Sequence, residues 1–189
     1  YEDMIPWQYT QQWKQLKNSV DTPVCTGEDI YLLDGFKPLI DNDAVSIIHP
    51  DLATSGGILE TKRIGDYAQE KGIPMALHQA GSPVVAMANV HCAAATEGFI
   101  ALEMHSVDNP WWNDLVNGET DKIINNGFVK VPESPGLGIT LNEDAVEKHL
   151  NTNASGFAGR GKSMDIYPTG AFEPTDEWDK LDAHDRTWS

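Results

Sequence analysis

The chain has 189 residues, 40% of them hydrophobic, and a formal net charge of −16. That length can bury one substantial core, no apolar run approaches the roughly 18 residues of a membrane span, and the acidic balance excludes nucleic acid as a partner because a phosphate backbone would be repelled. Cys25 and Cys92 lie near no Cys/His ligand spacing, so they read as free buried thiols of a reducing, cytoplasmic compartment.

Taken in order, the sequence begins Tyr1-Glu2-Asp3, with no initiator Met. Glu2 to Pro6 reads as the end of a strand whose body lies upstream. Trp7 to Val20 carries a rough helical stripe of Trp7, Trp13, Leu16 and Val20, stopped by Asp21-Thr22-Pro23. A short strand covers 23–28 and a short helix 35–42. Ala44 to Pro50 is almost wholly apolar, as a parallel strand covered on both faces should be. Gly56 to Lys71 is the clearest helix, with Ile58, Leu59, Ile64, Tyr67 and Ala68 expected on its inner face, and Gly72 stops it. Ile73 to Leu77 is a strand. Ser82 and Pro83 open a helix reaching about Ala95, and Gly98 to Glu103 is a strand again.

Strands alternating with helices across short links call for a parallel sheet with right-handed crossovers. The fold class expected is α/β, and the number of units matches the second half of a TIM-type barrel, whose eight units take about 250 residues. A doubly wound open sheet is the alternative, but no strand is followed by a Gly-rich phosphate loop. Three parts are expected: 1–105 as half of the barrel, 106–150 as a C-terminal segment with a strand or hairpin arm at 123–131 and a short helix at 142–150, and 151–189 as an irregular tail with scattered aromatics.

Each strand ends in an ionisable residue. Glu2, Glu28, Asp51, His78 and Glu103 follow one another at intervals of 26, 23, 27 and 25 positions. One βα unit of a barrel has about that length, so all five groups should stand at the same end of the sheet. Each also has a plainer reading. A strand-end acid can cap the next helix, although Asp51 lies several residues before Gly56; a lone histidine is more often structural, and that reading is kept for His91. His49 shares a strand face with Asp51 and could touch substrate or fill the barrel mouth. His105, just past a strand tip, could line the pocket.

The set Tyr1-Glu2-Asp3, Thr26-Gly27-Glu28, His49-Pro50-Asp51, Ala76-Leu77-His78, Leu102-Glu103 and Pro135-Gly136-Leu137-Gly138 resembles the mandelate racemase branch of the enolase superfamily, in order over residues 1–150. The resemblance implies a (β/α)7β barrel whose C-terminal segment returns to an α+β capping domain, the first barrel half and the cap lying outside this sequence, in the same or a second chain. It implies Mg²⁺ as cofactor, with Glu2 and Glu28 as two of its carboxylate ligands. Asp51 and His78 would form a general-base dyad, and Glu103 would hydrogen-bond the substrate carboxylate or its enediolate.

Those residue types suit that chemistry. A proton α to a carboxylate is very weakly acidic. A hard cation with oxygen ligands stabilises charge as it develops. An aspartate on one ring nitrogen fixes the histidine tautomer and frees the other nitrogen for proton transfer; a His base with Mg²⁺ is a known enolase-type arrangement. The stretch Leu102 to Leu115 resembles sugar-acid dehydratases of the branch, and His49, Gln79 and His105 offer donors and acceptors for a polyol. The activity expected is dehydration of a sugar acid (an aldonate, aldarate or uronate) by a carbon–oxygen lyase, in a homo-oligomer. The alternatives are a racemase, epimerase or cycloisomerase using the same dyad, or a non-catalytic half-barrel.

Overall fold

A computed structural model of the chain describes residues 1–105, 109–119 and 122–149. The expected tail at 151–189 lies outside these residues. The first compact unit, Tyr1–Leu141, is built on a parallel sheet in the order β1-β2-β3-β4: Cys25–Thr26, Ile47–Ile48, Met75–Leu77 and Phe99–Leu102. Glu2 extends it by one parallel bridge to Cys25. Sequence neighbours are sheet neighbours throughout, as consecutive βα units of a barrel wall require.

Helices α1 (Thr10–Ser19), α2 (Leu32–Asp41), α4 (Gly57–Glu70) and α5 (Pro83–Ala95) form the crossovers. The core is shared between sheet and helices, with Trp13, Val24, Phe36, Leu39, Val45, Ile48, Ile64, Met75 and Leu77 all fully buried. β2 and β3 supply Ile48, Met75 and Leu77 to it, while Ile47 and Ala76 on their other face are half-buried.

Three departures from the sequence reading have local causes. α1 starts at Thr10 rather than Trp7, because Tyr9 N–H bonds back to Pro6 O at 3.1 Å and forms a turn there. A separate short helix, α3 (Leu52–Ser55), precedes α4, and Gly56 at φ +119° joins the two, a conformation that favours glycine. In α4 the buried stripe is Thr61, Ile64, Gly65 and Ala68, while Ile58 is 45% and Leu59 75% exposed. Both lie in the first turn of α4, Leu59 on the side away from the 61-64-65-68 stripe and Ile58 at that stripe's edge.

After β4 the structure becomes small antiparallel pieces. β5 (Val116–Gly118) pairs with β8 (Ile139–Leu141), and β6 (Ile124–Asn125) with β7 (Phe128–Val129) in a hairpin closed by Asn126-Gly127. This is the hairpin arm expected at 123–131. The second unit, Asn142–Ser189, is described over 142–149, where Asn142 Oδ1 caps α6 (Glu143–Lys148) by accepting from Ala145 N–H at 3.4 Å. No helix of the described residues is long and apolar enough to cross a membrane.

Candidate active site

Parallel pairing aligns the strand tips. His78 N–H donates to Pro50 O at 3.1 Å and Glu103 N–H to Leu77 O at 2.9 Å, while His49 N–H donates to Thr26 O at 3.0 Å. The ladder therefore continues past β2 and β3 as a parallel bridge between Asp51 and His78 themselves. Backbone hydrogen bonds, rather than loop conformation, set these two side chains opposite one another.

His78 Nδ1 lies 2.7 Å from Asp51 Oδ2. Its Nε2 lies 3.3 Å from Glu28 Oε2 and 3.6 Å from Glu103 Oε2. The Asp51 hydrogen bond raises the imidazole pKa; burial opposes this, and the charges of Glu28, Asp51 and Glu103 add to the rise, so the net direction is upward. The other Asp51 oxygen accepts from Ala53 N–H at 2.6 Å, so Asp51 is also the N-cap of α3. One Asp51 oxygen thus serves the cap and the other the His78 contact.

Glu28 reaches the tip through Gly27. A Cβ on Gly27 would sit 2.8 Å from the His49 carbonyl carbon and 2.9 Å from the Phe36 ring, so only glycine lets β1 pass that close to β2. Carboxylate oxygens of Glu2, Asp3 and Glu28 lie within 4.8 Å of one another. Burial pushes the Glu28 carboxyl up; His78 pulls it down and Asp3, Asp29 and Glu2 push it further up, with a net rise. Asp29 is likewise raised, first by burial and then by Asp3. Crowded acids of this kind suit a hard divalent cation with oxygen ligands, so the donor set fits Mg²⁺. The family resemblance gives Asp3 no role; its adjacency to Glu2 is the sequence signal that points to it.

On the other side, Glu103 Oε1 contacts His105 Nε2 at 2.6 Å and Glu103 Oε2 contacts His49 Nε2 at 3.2 Å. Burial pushes the Glu103 carboxyl up, but the hydrogen bonds from these two histidines outweigh it and the net direction is downward. An ionised Glu103 is purely an acceptor. His49 is buried, and its Nε2 also lies 3.1 Å from Glu2 Oε1. The rings of His49 and His105 flank His78, at centroid distances of 5.6 and 5.7 Å.

The structure thus gathers all seven singled-out residues, Glu2, Glu28, His49, Asp51, His78, Glu103 and His105, at one end of the sheet. Gln79 stands apart from them in use: it is fully buried and its Nε2 donates to Gly81 O at 2.9 Å. It ties the β3–α5 loop instead of offering that amide to a polyol. His91 Nε2 contacts Leu137 O at 3.2 Å, in keeping with a structural residue. Cys25 is half-buried and Cys92 buried, both unpaired thiols; burial, with Glu2 next, pushes Cys25 up to about 11, far from a reactive thiolate.

A family model described as enolase C-terminal domain-like matches residues 1–145. The chain belongs to this family. It is 44% identical over 149 residues to D-xylonate dehydratase of Haloferax volcanii, covering 79% of this chain and 36% of that protein. It is 35% identical over 133 residues to D-gluconate/D-galactonate dehydratase of Picrophilus torridus, covering 70% and 33%. Among solved structures, a mandelate racemase/muconate lactonizing enzyme-like protein from Rubrobacter xylanophilus superposes with a TM-score of 0.76 at 36% identity, over 78% of this chain and 38% of that one. The chain spans about a third of the length of the curated relatives it matches.

Proposed function

We propose that this chain supplies the base-bearing part of a Mg²⁺-dependent sugar-acid dehydratase, with an aldonate, aldarate or uronate as substrate. The observation that carries the reading is the Asp51–His78 contact at 2.7 Å on adjacent parallel strand tips, with the second imidazole nitrogen turned toward Glu28 and Glu103. The names of the relatives, D-xylonate and D-gluconate/D-galactonate dehydratase, support the substrate class.

In this reading Asp51 holds the proton on His78 Nδ1, so the lone pair sits on Nε2. Nε2 takes the proton α to the substrate carboxylate, and the C–H bonding pair moves into an enediolate. The β carbon–oxygen bond then breaks. His78 returns its proton to the departing hydroxyl, which leaves as water, and the enol product tautomerises to a 2-keto acid. Glu2 and Glu28, with Asp3 beside them, would hold Mg²⁺, which when bound supplies electrostatic stabilisation for the negative charge that develops at the carboxylate. Glu103 and His105 meet the substrate, the ionised carboxylate accepting from a hydroxyl and the imidazole donating. The rest of the site, including a further metal ligand, is assigned to residues outside this sequence.

The test is incubation of the full-length protein with Mg²⁺ and a panel of sugar acids. A 2-keto product is expected. Deuterium exchange at the α carbon with no keto product would sink dehydration in favour of racemisation or epimerisation.

A further inference from the structure

His49 is surrounded in a way that a residue touching substrate does not require. It is 6% exposed, and its Nδ1 is buried with no hydrogen-bond partner among the described residues. Its Nε2 faces two carboxylates from opposite edges of the site, Glu2 at 3.1 Å and Glu103 at 3.2 Å. Glu2 in turn belongs to the Glu2/Asp3/Glu28 group as well as to the Glu2/His49/Glu103 group. His49 therefore stands between the acids assigned to the metal and the acid assigned to the substrate.

The unpaired Nδ1 decides the tautomer. A proton there would leave a buried N–H without an acceptor, which costs more than an unused lone pair. A proton on Nε2 has an anionic acceptor in Glu103, with the Glu2 carboxylate in ion-pair range beside it. The single N–H is therefore on Nε2, and that nitrogen has no lone pair with which to take up a proton. Gly27 packs against the His49 backbone, where a Cβ would sit 2.8 Å from the His49 carbonyl carbon, so β1 and β2 stay close at this point.

Resting on the functional reading above, we propose that His49 is a positioning residue: its Nε2–H holds Glu103 by a hydrogen bond and stands within ion-pair range of Glu2, coupling the metal-binding edge of the site to the substrate-binding edge, and it takes no part in proton transfer. Its chemistry is that of a hydrogen-bond donor, which a glutamine amide nitrogen at the same reach can imitate and a leucine of similar bulk cannot.

The experiment compares His49→Gln and His49→Leu in the full-length protein. Mg²⁺ affinity is measured by titration calorimetry without substrate, and kcat and KM are measured with the sugar acid that gives a keto product. Hydrogen bonds to charged groups of this kind lead to an expected loss of about tenfold or more in Mg²⁺ affinity for His49→Leu, with a rise of similar size in substrate KM. His49→Gln should restore both to within a few-fold and leave kcat nearly unchanged. Unchanged Mg²⁺ affinity and KM in His49→Leu would overturn the proposal. So would loss of kcat in His49→Gln with both affinities intact, which would make His49 a proton-transfer group, or loss of metal in His49→Gln, which would make it a ligand. Failure of the unsubstituted protein to bind Mg²⁺ would instead overturn the functional reading, and the coupling with it.

Discussion

The centre of the strand-tip row and its two edges are built differently. At the centre, Asp51 and His78 are bridged by their own backbones and their side chains are 11% and 12% exposed. At the edges, Glu2 is 40% and His105 57% exposed; their backbones are tied to the sheet as well, Glu2 by its bridge to Cys25 and His105 N–H by donating to Gln79 O at 3.1 Å, so the difference lies in exposure. The difference follows the work proposed for each place. A base needs a fixed tautomer and a raised pKa, and both come from a rigid, partly dry neighbour. Groups that meet a cation or a polyol need open lone pairs and room, so they stay accessible.

If the centre carries the proton transfer, removing the base should have the largest effect. His78→Asn is expected to lower kcat by about 10²–10⁴, the usual worth of a positioned acid–base group, with the fold retained. Loss of α-proton exchange into deuterated solvent is the direct measurement; persistence of exchange at the native rate would move the base elsewhere. Next comes the metal edge. Glu28→Gln removes one anionic ligand and should weaken Mg²⁺ binding by about 10–100-fold or more, since even partners one step removed from a metal cost that much. An unchanged Mg²⁺ titration would take Glu28 out of the ligand set.

Asp51→Asn sharpens the comparison, because asparagine caps a helix as well as aspartate does. The α3 cap to Ala53 should survive while the charge on His78 is lost. A general base works when deprotonated, so kcat/KM should rise with pH through the His78 pKa, which Asp51 holds above its ordinary value. The variant should shift that acidic limb to lower pH, because the largest cause of the rise is gone. Its plateau should also fall, to a level above that of His78→Asn. A limb that stays in place would mean that Asp51 serves α3 alone.

Much of the centre was legible in the sequence, for a physical reason. Strand tips one βα unit apart must align when neighbouring strands are parallel and in register, so the spacing of Glu28, Asp51, His78 and Glu103 carried the geometry with it. The same spacing could not reveal Asp51 as the cap of α3, because a four-residue helix between a strand and Gly56 has no periodicity to read. Nor could it show that Ile58 and Leu59 are exposed, since the stripe that includes them is apolar whichever way the first turn faces. Gln79 looked like a pocket donor from its place beside His78; only the loop geometry shows its amide spent on Gly81. The sequence leaves His49 between substrate contact and filler because the residues it meets, Glu2 and Glu103, are 47 and 54 positions away. Sequence proximity says nothing about a contact made across two strands.

The smallest effect should come from His105, the most exposed of the histidines in the row. Its Nε2 lies 2.6 Å from Glu103 Oε1, a short contact, yet exposed pairs of this sort are worth about 0–1 kcal/mol because water competes and the side chain must be held still. Glu103 would keep its second partner, His49, at 3.2 Å. His105→Asn is therefore expected to raise KM by no more than about fivefold, the equivalent of about 1 kcal/mol, with kcat close to the native value. Steady-state kinetics across the sugar-acid panel would measure it. Should kcat instead fall as far as in His78→Asn, His105 would be a second proton-transfer group, and the division between a dry catalytic centre and accessible binding edges would fail at its most exposed point.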